Sequence, residues 1–103
     1  MENLSGKQKR YLRGLGNQLK ATVFIGQKGI TDATSATLIE AFNNSEIVKI
    51  KIQDGYLGDR FQLANQLAEL ASALLVQVLG KMILLYSPDL DNPKIQLPPK
   101  NNS

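Results

Sequence analysis

Hydrophobic residues recur every three or four positions in three segments of the chain, and this period predicts three helices. The first runs from about Gly6 to Leu19: Ser5 can cap it, and Gln8 three residues later completes a capping box. Its apolar residues share one stripe, namely Leu4, Tyr11, Leu12, Leu15 and Leu19. Gly14 and Gly16 each cost about 1 kcal/mol relative to alanine, so the second half of this helix should depend on tertiary packing.

Two further segments have the helical period. Thr31 offers an N-cap and Asp32 lies in the first turn, where the helix dipole favours an acid, for a second helix that ends near Asn43. Its predicted inward residues are Ala33, Ala36, Ile39 and Phe42. Asp59 and Gln62 indicate the start of a third helix. The apolar stripe of that helix comprises Phe61, Ala64, Leu67, Ala68, Ala71 and Leu74.

Four shorter segments have the composition or the period of strands. Residues 21–25 (ATVFI) are rich in β-branched and aromatic side chains and predict a buried strand. In residues 47–52 (IVKIKI) lysine alternates with apolar residues, as in a strand with one solvent-exposed face or a strand at the edge of a sheet. Residues 75–79 and 82–86 predict two strands joined by Gly80-Lys81, with glycine where a type II′ turn requires it.

The element order is therefore α-β-α-β-α-β-β. Strands separated by helices need crossover connections, so we expect a single compact α/β domain with a mixed four-stranded sheet over residues 1–86. Residues 87–103 are rich in proline, aspartate and asparagine and predict an irregular tail, partly packed on the domain through residues 94–97 (KIQL).

The composition argues against most enzymes. The chain of 103 residues has no cysteine and no histidine, which removes disulfides, thiolate zinc sites, thiol nucleophiles and the commonest general base. DGYLGD, residues 54–59, fails the spacing of a calcium loop. The chain shows no long apolar run and no secretory signal pattern. We therefore expect a cytoplasmic binding protein that is not an enzyme and holds no metal or cofactor.

The positive charge lies at one end of the chain. Residues 1–29 contain six basic residues and the single acid Glu2, whereas the remaining chain has six basic and eight acidic residues. On the first helix, Lys9, Arg10 and Arg13, with Lys20 beyond, fall opposite the apolar stripe, and Lys7 falls at its margin. This pattern suggests a surface for a polyanion, although a merely solvated helix face is the usual alternative. Membrane binding is disfavoured, because the stripe lacks tryptophan.

GQKG, residues 26–29, follows the first strand and allows three interpretations. Its glycines would let backbone amides approach a nucleic-acid phosphate while Lys28 adds charge. A nucleotide-binding enzyme is disfavoured, because both the P-loop and the dinucleotide patterns are incomplete. The third interpretation is a tight turn with positive φ at one or both glycines. Asp32 would repel an anion from a deep pocket, so a projecting loop is favoured.

The two lysines of IVKIKI are also ambiguous. Lys49 and Lys51 could extend a basic surface, or they could protect an edge strand from aggregation. We favour protection of an edge, because outward lysines commonly serve that purpose.

With these segments in view, the chain resembles the CRM domain (chloroplast RNA splicing and ribosome maturation) in its stand-alone bacterial, YhbY-like form. The resemblance lies in LSGKQKRYLRGL (residues 4–15), VFIGQKGIT (23–31), IVKIKI (47–52), VQVLGKMILLY (76–86) and KIQLP (94–98). It implies a fold similar to the C-terminal domain of bacterial translation initiation factor three. It also implies RNA binding through a GxxG loop and association with precursors of the large ribosomal subunit.

Carried onto this chain, the resemblance implies an RNA-binding surface made of the loop and the basic residues before it. Its residues are Gly26, Gln27, Lys28, Gly29, Lys7, Lys9, Arg10, Arg13 and Lys20. One departure is Ser87, where the family often has a basic residue after the tyrosine of the last strand. We expect a monomer that binds ribosomal RNA, with little base stacking because aromatic residues are few. A protein-interaction module that docks a ribosomal protein or an assembly GTPase is the alternative, and a small hydrolase or nucleotide-binding enzyme is a further one.

Overall fold

The fold is an α/β domain with a mixed four-stranded sheet, as the residue patterns predicted. The computed structural model describes residues 3–100; residues 1–2 and 101–103, the outer ends of the predicted domain and tail, lie outside that range. The helices are α1 (Gly6–Gly16), α2 (Asp32–Asn44) and α3 (Arg60–Leu70), and the strands are β1 (Val23–Ile25), β2 (Ile47–Ile52), β3 (Leu74–Leu79) and β4 (Met82–Tyr86). The strand order is β1-β2-β4-β3; β1 pairs with β2 in parallel and the other pairs are antiparallel.

The two faces of the sheet are covered by different helices. α2 and α3 pack on one face, over a core cluster that includes Ile25, Ile50 and Leu85. α1 packs on the opposite face, where Leu12 belongs to a second cluster with Leu84 and other residues. We call these the two-helix face and the α1 face. Because successive side chains of a strand point to opposite faces, Lys49 and Lys51 lie on the α1 face.

The three predicted helix starts are confirmed. The Ser5 hydroxyl accepts from the Gln8 N–H and the Gln8 side chain accepts from the Ser5 N–H, each at 3.1 Å. Thr31 caps α2 through a reciprocal pair with Thr34. One carboxylate oxygen of Asp59 accepts from the backbone N–H groups of Phe61 and Gln62, in the first turn of α3. Each cap gives a partner to N–H groups that a helix start leaves free, which explains why these positions could be predicted.

The end of α1 differs from the prediction, because the helix stops at Gly16 rather than Leu19. The Lys49 ammonium donates to the carbonyl oxygens of Gly16 and Leu19 at 3.2 and 3.3 Å, which closes the end of the helix. A Cβ on Gly16 would lie 2.6 Å from Leu84 Cδ2, so this glycine allows α1 to approach β4 closely. Tyr11 and Leu19, predicted to face inward, are exposed.

The inward faces of α2 and α3 also differ in part. In α2 the fully buried residue is Leu38, whereas Ala33, Ala36 and Ile39 are exposed. In α3 Leu63 is buried and Phe61 is exposed. The predicted stripe is wrong at Leu74, which begins β3 and packs on the cluster beneath α1. Its other members pack on the two-helix face, namely Ala64, Leu67, Ala68 and Ala71. Both helices carry apolar residues on more than one side, so the helical period of the sequence is compatible with two rotations of each helix about its own axis. Packing against the sheet selected one of them.

β2 is an interior strand, so the interpretation of its lysines as protection of an edge is wrong. β1 and β4 pair with its two sides, and the edge strands are β1 and β3. β3 and β4 form the predicted hairpin, with φ of +57° at Gly80, and a bulge between Leu75 and Gln77 shifts their register. Val76 lies at the bulge and belongs to the cluster beneath α1.

Glu46 organises the beginning of the segment after β4. Its side chain is buried, and its carboxylate accepts hydrogen bonds from the backbone N–H groups of Asp89, Lys94 and Ile95 at 2.7–2.8 Å. Burial by itself raises the pKa of Glu46, but the three hydrogen bonds outweigh it and hold the pKa below its ordinary value. The sequence analysis did not single out this carboxylate.

The rest of the segment lies against α1. Ile95 and Leu97 pack on the cluster beneath that helix, and the Gln8 side-chain amide donates to the carbonyl oxygen of Pro98 at 3.0 Å. The expected division of the chain at residue 86 stays a prediction, because these contacts alone do not define a domain boundary.

Candidate functional site

The GQKG loop is a tight turn that leaves its two central side chains in solvent. The Gly29 N–H donates to the Gly26 carbonyl oxygen at 3.0 Å, and Gly29 has φ of +71°. Gly26 does not need the left-handed region, so only one glycine is required by its backbone conformation. Gln27 and Lys28 are both exposed. The turn therefore presents an amide and an ammonium group outward, at the end of the edge strand.

Two other loops meet the GQKG loop at the same end of the sheet. The Gln53 N–H donates to the Ile25 carbonyl oxygen at 2.8 Å, which holds the loop of residues 53–58 beside it. The Ile52 N–H donates to the Lys81 carbonyl oxygen at 2.7 Å, which places the turn of the β3-β4 hairpin next to the loop of residues 53–58. We call this end of the sheet the loop end. α2 and α3 also begin there, so two helix N-termini add partial positive charge nearby.

The loop end holds one ion pair. The Lys81 ammonium contacts the Asp54 carboxylate, and this hydrogen bond, together with the charge of Lys81, lowers the pKa of Asp54. Lys28 and Lys51 form no salt bridge with any residue between 3 and 100. Asp32 is exposed in the first turn of α2, as expected, where its carboxylate would repel an anion from that helix start.

The predicted cations of α1 are also without carboxylate partners. Over residues 3–100 no salt bridge includes Lys7, Lys9, Arg10 or Arg13, and Arg10 is exposed while the others are partly so. The charge of a basic side chain without an acidic partner is not neutralised locally, so its field can attract an external anion. α1 thus offers a positively charged outer surface, as its sequence indicated.

The structure does not place α1 directly beside the GQKG loop. α1 ends over Leu84, whose strand partner is Lys49. Gln53, beside the loop, lies four residues after Lys49, just past the end of β2. At about 3.3 Å per residue this separates the end of α1 from the loop by roughly 13 Å. Lys51 is exposed between them, so a cation that the sequence left ambiguous lies within the gap.

Lys20 lies at the opposite end of β1 from Lys28. It lines a groove of about 410 Å³ between the start of β1 and the C-terminal half of α2, together with Glu40. The predicted site residues therefore form a dispersed set, with the loop at one end of β1, Lys20 at the other end and the α1 cations beyond. Lys51 was considered in the sequence analysis but not included among the predicted site residues, because the sequence pattern does not specify strand pairing and so could not show that β2 lies inside the sheet.

Other kinds of site find little support in the part of the chain that the structure describes. Between residues 3 and 100 no group of three Asp, Glu, His or Cys side chains could hold a metal ion. None of the helices there is both long enough and apolar enough to span a membrane.

In the part of the chain that the structure describes, cations without salt bridges lie along α1 and beside a glycine-bounded loop. A small α/β domain with such a surface is typical of nucleic-acid-binding proteins. Comparison with known families identifies the particular group. Residues 4–87 match the CRS1 / YhbY (CRM) domain, and the chain belongs to that family.

Individual relatives agree with this assignment. A Haemophilus influenzae protein named "RNA-binding protein" is 34% identical over 100 residues, which are 97% of this chain and 100% of the relative. "Probable RNA-binding protein YqeI" of Bacillus subtilis is 32% identical over 92% of this chain and 99% of its own length. The solution structure of SAV1595 from Staphylococcus aureus, a hypothetical protein proposed to bind RNA, has 36% identity and a TM-score of 0.79, with 92% of this chain and 99% of that chain covered.

Proposed function

We propose that this protein is a cytoplasmic, monomeric and non-enzymatic RNA-binding protein that acts on precursors of the large ribosomal subunit. The GQKG loop would contact the RNA backbone, with its glycines giving phosphates access to loop amides and Lys28 supplying charge. Lys7, Lys9, Arg10, Arg13 and Lys20 would extend the contact over the rest of the molecule.

The observation that carries this proposal is the pair of exposed polar side chains held out by a hydrogen-bonded turn. Gln27 and Lys28 make no side-chain hydrogen bond within residues 3–100, so the fold makes no use of their polar groups. The naming of the relatives as RNA-binding proteins supports RNA as the ligand. Association with the large subunit rests on the family resemblance.

Salt dependence tests contact with the RNA backbone. If about four phosphates are contacted, a slope near −0.7 per phosphate predicts roughly fifty-fold weaker binding when salt rises from about 50 to 200 mM. Affinity for a large-subunit ribosomal RNA transcript, measured by filter binding across this range, gives the slope. An affinity independent of salt would contradict the mechanism.

Charge reversal tests the loop itself. The double variant Gln27→Asp/Lys28→Asp should abolish binding at about 150 mM salt, because it replaces attraction by repulsion at the phosphates. Its circular dichroism and melting temperature should stay near those of the wild type, since exposed substitutions usually change stability by about 0.5 kcal/mol or less.

Lys94→Asp/Gln96→Asp is a matched control with the same change in charge. Both residues are exposed, and Lys94 lies beside the C-terminal end of α2. The 13 residues of α2 place that end about 20 Å from the loop. If both double variants weaken binding equally, net charge alone explains the affinity.

If ribosome association in sucrose gradients survives charge reversal of the GQKG loop, docking to a ribosomal protein or an assembly GTPase replaces RNA contact as the function.

A further inference from the structure

The α1 face has a row of side chains that no helix covers. Phe24 pairs with Lys51 between β1 and β2, Lys51 pairs with Met82 between β2 and β4, and Met82 pairs with Leu79 between β4 and β3. Residues directly paired across strands point to the same face, so these four side chains form one line across the whole sheet. We call this line the open row.

The open row is accessible although three of its members are apolar. Phe24 is 45% exposed, Leu79 is 64% exposed and Lys51 is exposed, because α1 ends over Leu84 before reaching the row. On the two-helix face, by contrast, neighbouring residues of the same strands are fully buried, Ile25 and Ile83 among them. An aromatic ring left in water beside a lysine is a surface feature that a ligand can use.

We propose that the open row binds unpaired nucleotides of RNA, with one base stacked on the Phe24 ring and Lys51 on the adjoining phosphate. The inference rests on the proposed function and adds to it a base contact and a preference for single-stranded or bulged segments. Sheet faces with exposed aromatics bind single-stranded RNA in this way, since every base has a face that can stack.

Charge favours RNA over a protein as the occupant. Phe24, Lys51 and Lys81 line one shallow depression of about 370 Å³, in which the single carboxylate, Asp54, is already paired with Lys81. Lys28 follows Phe24 by four residues at the same end of β1 and forms no salt bridge within residues 3–100. The surroundings of the ring are therefore positive, which suits a phosphate chain.

Size and continuity also favour RNA. Three gaps of about 4.8 Å between strands give a row about 14 Å long and one side chain wide, which accommodates about two nucleotides. A stable protein partner would need roughly 800 Å² on this side, far more than the row provides. Phe24 lies two residues before Gly26, so a strand that contacts the loop through phosphates can place its next base on the ring.

Fluorescence gives a direct test, because the chain has no tryptophan. In the Phe24→Trp variant, a single-stranded dodeca-adenylate should quench the new indole, whereas an abasic dodecamer with the same phosphates should not. Phe61→Trp is the matched control: Phe61 is 52% exposed at the start of α3, and the Arg60 guanidinium lies over its ring, 4.9 Å from the centroid. Equal quenching of both indoles, or equal quenching by the abasic RNA, would overturn the proposal.

Affinity provides the second measurement. Phe24→Ala should weaken binding of the dodeca-adenylate by about 5- to 150-fold, which corresponds to the loss of one stacked base, while Phe24→Tyr should bind like the wild type. Lys51→Gln should lower the salt slope by about 0.7. Melting temperatures of the Phe24 variants check that the fold is kept, and the tyrosine and tryptophan variants keep the test valid if alanine unfolds the protein.

The outcomes separate this proposal from the proposed function. If Gln27→Asp/Lys28→Asp abolishes binding but the Phe24 variants bind and fluoresce without change, stacking is wrong and RNA binding through the loop stands. If the wild type binds neither the dodecamer nor ribosomal RNA, both proposals fail. If the Phe24→Ala variant no longer associated with large-subunit precursors but kept its affinity for RNA, the open row would bind a protein partner instead of RNA.

Discussion

The two halves of the α1 face show how differently one sheet surface can be used. At the end where β2 begins, α1 and the segment after β4 cover Ile47, Leu84 and Tyr86, and Glu46 holds that segment in place. At the loop end the same strands expose Phe24 and Lys51. The closed half satisfies its buried polar groups internally, whereas the open half leaves cations and an aromatic ring in solvent. Stability and binding should therefore be separable by substitutions in the two halves.

Removing the Glu46 carboxylate should have the largest effect on the closed half. In Glu46→Ala the three backbone N–H groups that bind the carboxylate lose their acceptor, and we expect the free energy of unfolding to fall by about 3 kcal/mol. Urea unfolding measures the change, and limited proteolysis should detect release of the segment after β4. Glu69→Ala, at an exposed position of α3, is the control. If the free energy of unfolding fell by less than about 1 kcal/mol, water would replace the carboxylate as hydrogen-bond acceptor at little cost.

The approach of α1 to the sheet can be tested with two glycines of the same helix. Gly16→Ala should destabilise the protein by about 2 kcal/mol, because the new Cβ would overlap the buried Leu84 side chain. Apart from the adjoining backbone of its own helix, nothing lies within 4 Å of a Cβ added at Gly14, so Gly14→Ala should stabilise the helix by up to about 1 kcal/mol. Thermal melting of both variants gives the comparison. Equal effects would show that α1 does not depend on contact at Gly16.

The two lysines of β2 divide the closed half from the open half. Lys49→Met should reduce stability by about 1 kcal/mol, because the carbonyl groups of Gly16 and Leu19 lose their donor, and should change RNA affinity little. Lys51→Met should leave stability within about 0.5 kcal/mol and should weaken RNA binding. Chemical denaturation and filter binding on both variants measure these effects. If instead Lys49→Met weakened RNA binding and Lys51→Met reduced stability, the division of the α1 face into a closed and an open half would be wrong.

The smallest expected effect is on the pH dependence of stability, because burial opposes the hydrogen bonds that lower the pKa of Glu46. A carboxyl group whose pKa is lower in the folded state stabilises the fold above its unfolded pKa, about 4.3 for glutamate. That stabilisation is lost as pH falls through the folded pKa. The stability difference between wild type and Glu46→Gln should therefore narrow below about pH 4. If the difference in the free energy of unfolding stayed constant down to the pH of acid unfolding, the pKa of Glu46 would be the same in the folded and the unfolded protein.

The sequence predicted best those features that depend on neighbours in the chain. Ser5, Thr31 and Asp59 begin their helices as expected, because a cap is decided within three residues. The hairpin at Gly80 followed from the conformation that only glycine adopts easily. Helix rotation was predicted less well: Leu38 and Leu63 replaced Ile39 and Phe61 in the core. That choice depends on the surface against which each helix packs.

The candidate site divides in the same way. Gln27 and Lys28 could be proposed from GQKG and its resemblance to the family, because the loop is local and its turn needs glycine at Gly29. The open row could not, because Phe24, Lys51, Met82 and Leu79 lie far apart in the chain and meet only through strand register. The expectation of little base stacking counted the aromatic residues without knowing which ones the fold would leave exposed.

By itself, the sequence determined the element order, the helix starts, the glycine turn and the basic character of the N-terminal third, since each depends on residues close together in the chain. Only the tertiary structure decided that β2 lies inside the sheet, that Lys49 closes α1 while Lys51 stays free of salt bridges within residues 3–100, and that Glu46 anchors the segment after β4. The physical reason is that pairing and burial join residues about 30 to 50 positions apart, and no local pattern specifies which of them will meet.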